Sequence, residues 1–152
     1  MKQFRWRARV AAALAVLLTA GAAFAMTGAE VVQTRRSVFG EMTSALKYIA
    51  GHWDDSASYG DLAQAAAVIE RDAKNLPKLF PAGTSESDGL RTAASDAIWT
   101  DRAGFDQLAG QLAAQAAKLA RTTAASDSAQ VKSEIKVVVA TCKSCHRDYR
   151  SN

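Results

Sequence analysis

Residues 128–150 read SAQVKSEIKVVVATCKSCHRDYR, and this stretch decides the fold of the chain. Its apolar residues recur at steps of three and four, at Val131, Ile135, Val138, Cys142, Cys145 and Tyr149. Such spacing gathers side chains on one face of an α-helix, whereas a strand requires alternation. No run of β-branched or aromatic residues elsewhere alternates long enough to predict a sheet. The sequence therefore predicts an all-α protein.

Three further amphipathic stretches precede this one. The first runs from about 28 to 51, and the second from about 61 to 75 with Asp61 as its expected N-cap. Pro77 and Pro81 end the second helix, and a polar loop follows. The third helix begins near Thr100 or Asp101 and ends before a turn at 122–127. Four helices of this length predict an antiparallel up-and-down four-helix bundle.

The composition bounds the class of protein. Of 152 residues, 49% are hydrophobic and 22% charged, which excludes a disordered or collagen-like chain. The net charge of +4 suggests an acidic partner such as nucleic acid or a membrane. Residues 1–25, however, hold four basic residues and no acidic one, ahead of an apolar run and the small residues Ala23 and Ala25. This pattern predicts a secretory signal peptide over 1–25 and a neutral, exported domain over 26–152, with no nucleic acid and no membrane as partner.

The segment Cys142-Lys143-Ser144-Cys145-His146 has the pattern C-x-x-C-H, the attachment signal of c-type haem. On a helix these three side chains face one side, so both thiols can form thioethers to a single haem while His146 ligates its iron. Attachment would also consume both cysteines, which an oxidising compartment would otherwise pair. We therefore predict one covalently attached haem c near the end of the fourth helix.

Three other interpretations of the two cysteines compete. A disulfide between them would join adjacent helical turns and constrain little. A thioredoxin-like pair opens a helix after a strand, whereas this pair closes one. A structural zinc site needs four ligands, and beyond Cys142, Cys145 and His146 the sequence offers only His52. His52 lies thirteen residues beyond Phe39, about 20 Å along a helix, so the two side chains cannot cover the same iron. We expect His52 at the surface or in a loop.

Several features besides the motif occur in a specific order. They are Arg35 on the first helix, the turn at 76–83, the pair Ile98-Trp99 followed by Phe105, and Arg150 four residues after His146. In this respect the chain resembles the class II cytochromes c, and the cytochrome c′ family in particular. The resemblance implies a periplasmic haem protein with His146 as the proximal ligand. It also implies that Arg35 pairs with a haem propionate and that Arg150 adds positive potential on the proximal side.

The same resemblance addresses the distal side of the iron. In the family, the residue four after the first-helix arginine faces that side, which here is Phe39. A phenyl ring cannot donate a lone pair, so we expect a five-coordinate iron that binds NO and CO and cycles one electron. Counting from Arg36 gives Gly40, which also cannot ligate. The alternative is a six-coordinate electron-transfer cytochrome with Met42 as second ligand.

An enzyme is the least favoured function, because no distal His or Arg pair for peroxide cleavage is evident near Phe39. The resemblance allows two further partners, a redox protein and a second copy of the chain.

Overall fold

The computed structural model describes residues 26–55 and 58–151. The predicted signal peptide lies outside the described residues. Within the described ranges, five α-helices follow one another: α1 Gly28–His52, α2 Tyr59–Asn75, a single turn α3 Ala97–Thr100, α4 Arg102–Ala124 and α5 Ser128–Tyr149. Apart from one isolated bridge between Ala94 and Arg150, the described residues form no β-structure. The predicted all-α bundle of four long helices is confirmed.

Local capping sets where the long helices begin. Thr27 caps α1 in a reciprocal capping box with Glu30, while Asp101 and Asp127 accept backbone N–H bonds at the starts of α4 and α5. The prediction that Asp61 caps α2 is wrong. Because α2 begins two residues earlier, after Ser58, Asp61 lies inside the first turn, where its carboxylate accepts a 3.5 Å bond from the Tyr48 hydroxyl.

Each long helix packs against the next long helix in the chain, and α5 returns to α1. The most deeply buried side chains of the core are Ile49, Leu62, Ile69, Leu119, Val131 and Val138. In the described part of the chain, no helix combines the length and apolar character that a membrane crossing requires.

The long α2–α4 connection is fastened to the bundle at one end. Phe80 and Ile98 are buried and anchor this loop. Trp99 Nε1 donates to the Pro81 carbonyl at 3.0 Å, and the Arg102 guanidinium donates to the carbonyls of Pro77 and Phe80. These bonds hold the loop as one wall of a cavity.

The end of α5 is tied to the same loop by main-chain bonds. Ser95 N donates to the Tyr149 carbonyl at 3.1 Å, and Ser151 N donates to the Ala93 carbonyl at 3.0 Å. Residues 93–95 are therefore held against the last turn of α5, beside His146.

Candidate cofactor-binding site

A cavity of about 440 Å³ lies between α1, the α2–α4 connection and the end of α5. This volume falls in the range of cofactor sites, about 300–1,000 Å³. Four apolar side chains supply much of its wall: Phe39, Phe80, Ile98 and Phe105. Phe80 packs edge-on against Phe39 and Phe105, with ring centroids 6.5 and 4.9 Å apart. The wall is therefore a rigid aromatic surface suited to a flat apolar ligand.

Five of the six predicted site residues line this one cavity: Arg35, Phe39, Cys145, His146 and Arg150. Cys142 does not line it. That thiol lies one turn earlier on α5, half-buried and packed against the core. Both cysteines are free thiols in the structure.

The surroundings of the two thiols and the imidazole of α5 shift all three towards their uncharged forms. Burial raises the pKa of the Cys142 thiol, and burial together with Cys142 and Asp148 raises the pKa of Cys145 to about 11. Burial and the positive charge of Arg150 lower the pKa of His146. The imidazole is thus held neutral, the form that ligates a metal.

Arg35 is the strongest indication of an anionic ligand. Its side chain is buried on α1, with 4% exposed, and its guanidinium lies 4.5 Å from the Phe80 ring centroid. Nη2 donates to the Thr84 carbonyl at 2.7 Å, but Nε and Nη1 have no hydrogen-bond partner. Burial lowers the pKa of Arg35, since no carboxylate offsets the loss of water. Two buried N–H-bearing nitrogens without partners fit a carboxylate that is part of the bound group.

The charge around the cavity has one sign. Arg36 and Arg150 line it along with Arg35, and none of the described residues that line it is acidic. Arg36 also donates to the Arg91 carbonyl, which joins α1 to the loop. Sequence reasoning passed over Arg36 as a site residue, although its position next to Arg35 was a usable signal. The sequence could not have indicated that the Thr84 carbonyl accepts from Arg35, because every residue has a backbone carbonyl.

The residue one turn beyond Phe39 on the cavity side is Thr43, not Met42. Met42 is 7% exposed and belongs to the hydrophobic core. Its thioether therefore packs among core side chains, and the structure does not favour the alternative in which Met42 ligates iron. His52 is exposed, as predicted, and its Nδ1 lies 2.8 Å from the Tyr48 carbonyl oxygen.

Tyr149 links the cavity wall to the start of α4, which the sequence did not indicate. Its ring lines the cavity and packs edge-on against Phe105, while its hydroxyl donates to Asp101 at 2.6 Å. Asp101 in turn caps α4 through the Gly104 amide. A Cβ on Gly104 would collide with both the Asp101 carboxylate and the Tyr149 hydroxyl, so glycine is required there.

This link predicts a loss of stability at high pH. Its hydrogen bond to Asp101, helped by burial and nearby acids, raises the pKa of Tyr149 from 10.0 to about 12. The protonated phenol is the form that the fold stabilises, so its contribution is complete below pH 10 and disappears as the pH rises towards 12. We expect Tyr149→Phe to be less stable than the wild type below pH 10, with the difference closing by about pH 12.

Urea unfolding of both proteins between pH 8 and pH 12 measures this difference. A difference in the free energy of unfolding that stays constant from pH 8 to pH 12 would contradict the assignment to Tyr149.

The sequence model of the cytochrome c′ family matches residues 30–150. A cytochrome c′ of Rhodopseudomonas palustris is 38% identical over 142 residues, which cover 92% of this chain and 94% of the relative. A solved cytochrome c′ from Rhodopseudomonas palustris superposes with a TM-score of 0.69 at 37% identity, covering 84% of this chain and 98% of its own. Another solved cytochrome c′, described as having an unusual ligand-controlled dimer dissociation, superposes with a TM-score of 0.76 at 23% identity over 84% of this chain and 99% of its own.

Proposed function

Because the chain belongs to the cytochrome c′ family, we propose that it is a periplasmic gas-binding protein with a five-coordinate, His146-ligated iron. It binds NO and CO and exchanges single electrons, and it is not an enzyme. Proteins of this family carry a covalently attached haem c, and the two cysteines for that attachment are present here.

One observation supports the proposal of a five-coordinate iron. Five α1 side chains line the cavity that His146 lines: Val32, Arg35, Arg36, Phe39 and Thr43. None of them offers the thioether or imidazole that would complete a six-coordinate iron. The large side chain among them, Phe39, excludes water and bulky ligands but cannot coordinate. A diatomic gas is small enough to enter beside a phenyl ring.

The residues of this chain divide the work of holding the group. Cys142 and Cys145 would supply the sulfurs of the two thioethers, and His146 would supply the nitrogen that ligates the iron. Arg35 would hold a propionate through its unpartnered nitrogens, and Phe39, Phe80 and Phe105 make the cavity wall apolar. The bound haem would supply the iron for gas binding and electron exchange.

The ferrous absorption spectrum tests the coordination. We expect a broad high-spin band, rapid CO uptake, and no change in either property in Met42→Ala, because Met42 lies in the core. Its loss should lower only the stability, by about 2–5 kcal/mol for a buried methionine.

Phe39→Ala serves as the opposite control, because Phe39 lines the cavity and Met42 does not. Its truncation enlarges the cavity, and faster CO uptake is expected. Sharp, split α and β bands in the wild type that disappear in Met42→Ala would instead establish the six-coordinate alternative. The homodimer that the family resemblance allows stays a prediction, and the molecular mass of the protein in solution would test it.

A further inference from the structure

The solvent side of α5 carries a continuous basic surface. Its members are Lys132, Lys136, Lys143, Arg147 and Arg150, and all five are exposed. At 3.6 residues per turn, Lys132, Lys136, Lys143 and Arg147 fall within a sector of about 60° on the helix. Arg150 follows them as the C-cap residue, in extended conformation. Of the two acidic residues of α5, Glu134 is buried and bonded to Lys118 of α4 at 2.6 Å, and Asp148 is bonded to Arg147, a member of the basic surface. We call the five residues the basic face of α5.

This face makes the charge of the domain asymmetric. Residues 26–152 contain 15 basic and 15 acidic residues, and the segment 128–150 holds five basic and two acidic ones. The rest of the domain therefore has ten basic residues against thirteen acidic ones. A domain with a net charge of +3 in this segment and −3 in the rest presents an oriented dipole. Such a field steers an oppositely charged protein to one docking geometry.

The basic face begins at the cofactor cavity. Arg150, at the C-terminal end of α5, lines the cavity with His146 and Arg36. From Arg150 to Lys132 the face extends along 18 residues, about 27 Å of helix, which matches the span of a standard protein interface. A partner docked along it would therefore lie next to the group that His146 holds.

We propose that the basic face of α5 is the docking surface for an acidic one-electron redox protein, an inference that rests on the proposed electron exchange. A membrane surface fits the structure less well. An interfacial helix inserts apolar side chains into the bilayer, whereas the apolar side of α5 is buried in the bundle and its one exposed large apolar residue, Val137, lies outside the basic sector.

Electron transfer from the ferrous holoprotein to an acidic probe tests the proposal, with plastocyanin as the probe. For the wild type we expect a second-order rate that falls at least about tenfold between 10 mM and 500 mM salt, because salt screens the steering field. Lys136→Glu with Arg147→Glu should lose about tenfold at low salt together with most of the salt dependence. These two positions avoid the haem attachment segment.

The matched control is Lys47→Glu with Lys74→Glu, which changes the net charge equally at exposed positions on α1 and α2. We expect it to keep the wild-type rate within about threefold, since these charges lie outside the steering face. Equal losses in the two double variants would overturn the proposal. So would wild-type binding to phosphatidylglycerol vesicles that requires Lys136 and Arg147 while plastocyanin does not distinguish the variants.

A binding measurement separates this proposal from the proposed function. Calorimetric titration of the ferrous protein with reduced plastocyanin involves no electron transfer. Binding that requires Lys136 and Arg147 without any electron transfer to oxidised plastocyanin would contradict the redox function but retain the docking surface. Absence of binding at low salt, with normal gas uptake, would overturn the docking surface alone.

Discussion

Replacing both cysteines, Cys142→Ser with Cys145→Ser, is expected to abolish covalent haem attachment completely. Each thioether requires a thiol sulfur, and a serine hydroxyl does not replace it in this bond. After denaturation and extraction with acidified acetone, the variant should release all of its haem, while the wild type keeps its haem bound to the polypeptide. A haem-stained denaturing gel gives the same comparison by a second method.

The single variants and a neighbour make this experiment quantitative. Cys142→Ser and Cys145→Ser each leave one thiol, so each should retain haem through a single thioether. Ser144→Ala alters the same turn of α5 without touching a thiol and should retain the wild-type haem content. Haem that stays bound to the double variant after extraction would contradict the assignment of the attachment residues, and with it the proposed site.

Gly104→Ala is expected to destabilise the fold by about 2–4 kcal/mol, of which about 1–3 come from overpacking and about 1 from the lost α4 cap. The added methyl group would collide with the Asp101 carboxylate, which caps α4, and with the Tyr149 hydroxyl, which is bonded to that carboxylate. Neither atom belongs to the free end of a flexible chain, because each is held by the other.

The same helix provides the control for this substitution. A Cβ on Gly110 would meet nothing within 4 Å, so Gly110→Ala should stabilise α4 by up to about 1 kcal/mol through helix propensity alone. Urea unfolding of both variants, followed by circular dichroism, measures the opposite signs. A destabilised Gly110→Ala, or an unaffected Gly104→Ala, would refute the role of the Asp101–Tyr149 pair.

The long helices could be predicted from the sequence because each one buries a periodic apolar stripe. The predicted first and last helices, about 28–51 and 128–150, differ from α1 and α5 by one residue at their C-terminal ends. Helix starts are harder to predict, since several residues near a start can cap. Asp61 has the chemistry of a cap, but α2 begins at Tyr59. The single turn α3 is too short to show a period.

Within the site, the sequence could not separate Met42 from Thr43. Met42 and Thr43 lie three and four residues after Phe39, on either side of the same helical stripe. Periodicity alone therefore assigns both residues to one face. In the folded protein the line Arg35, Phe39, Thr43 faces the cavity and Met42 faces the core. Whether Met42 or Thr43 faces the cavity depends on how α1 is rotated in the bundle, and that rotation is set by contacts with the other helices.

Gly104 and Arg102 illustrate contacts that no local pattern reveals. Gly104 leaves room for the Tyr149 hydroxyl, 45 residues away in the sequence, and Arg102 bonds to carbonyls of Pro77 and Phe80. Neither a glycine within a helix nor an arginine in a first turn indicates such contacts by its local sequence. Their partners appear only when the loop and α5 are brought to the start of α4.

Because two of its nitrogens lack partners, the buried guanidinium of Arg35 is expected to give the haem-free and haem-bearing chains different lifetimes. A buried cation in which two nitrogens lack hydrogen-bond partners raises the free energy of the folded apoprotein. A ligand that binds only the folded state lowers that free energy. We therefore expect the apoprotein to unfold more often and to be degraded sooner by proteases than the loaded protein. Through Arg35, haem binding is therefore expected to lengthen the lifetime of the folded chain.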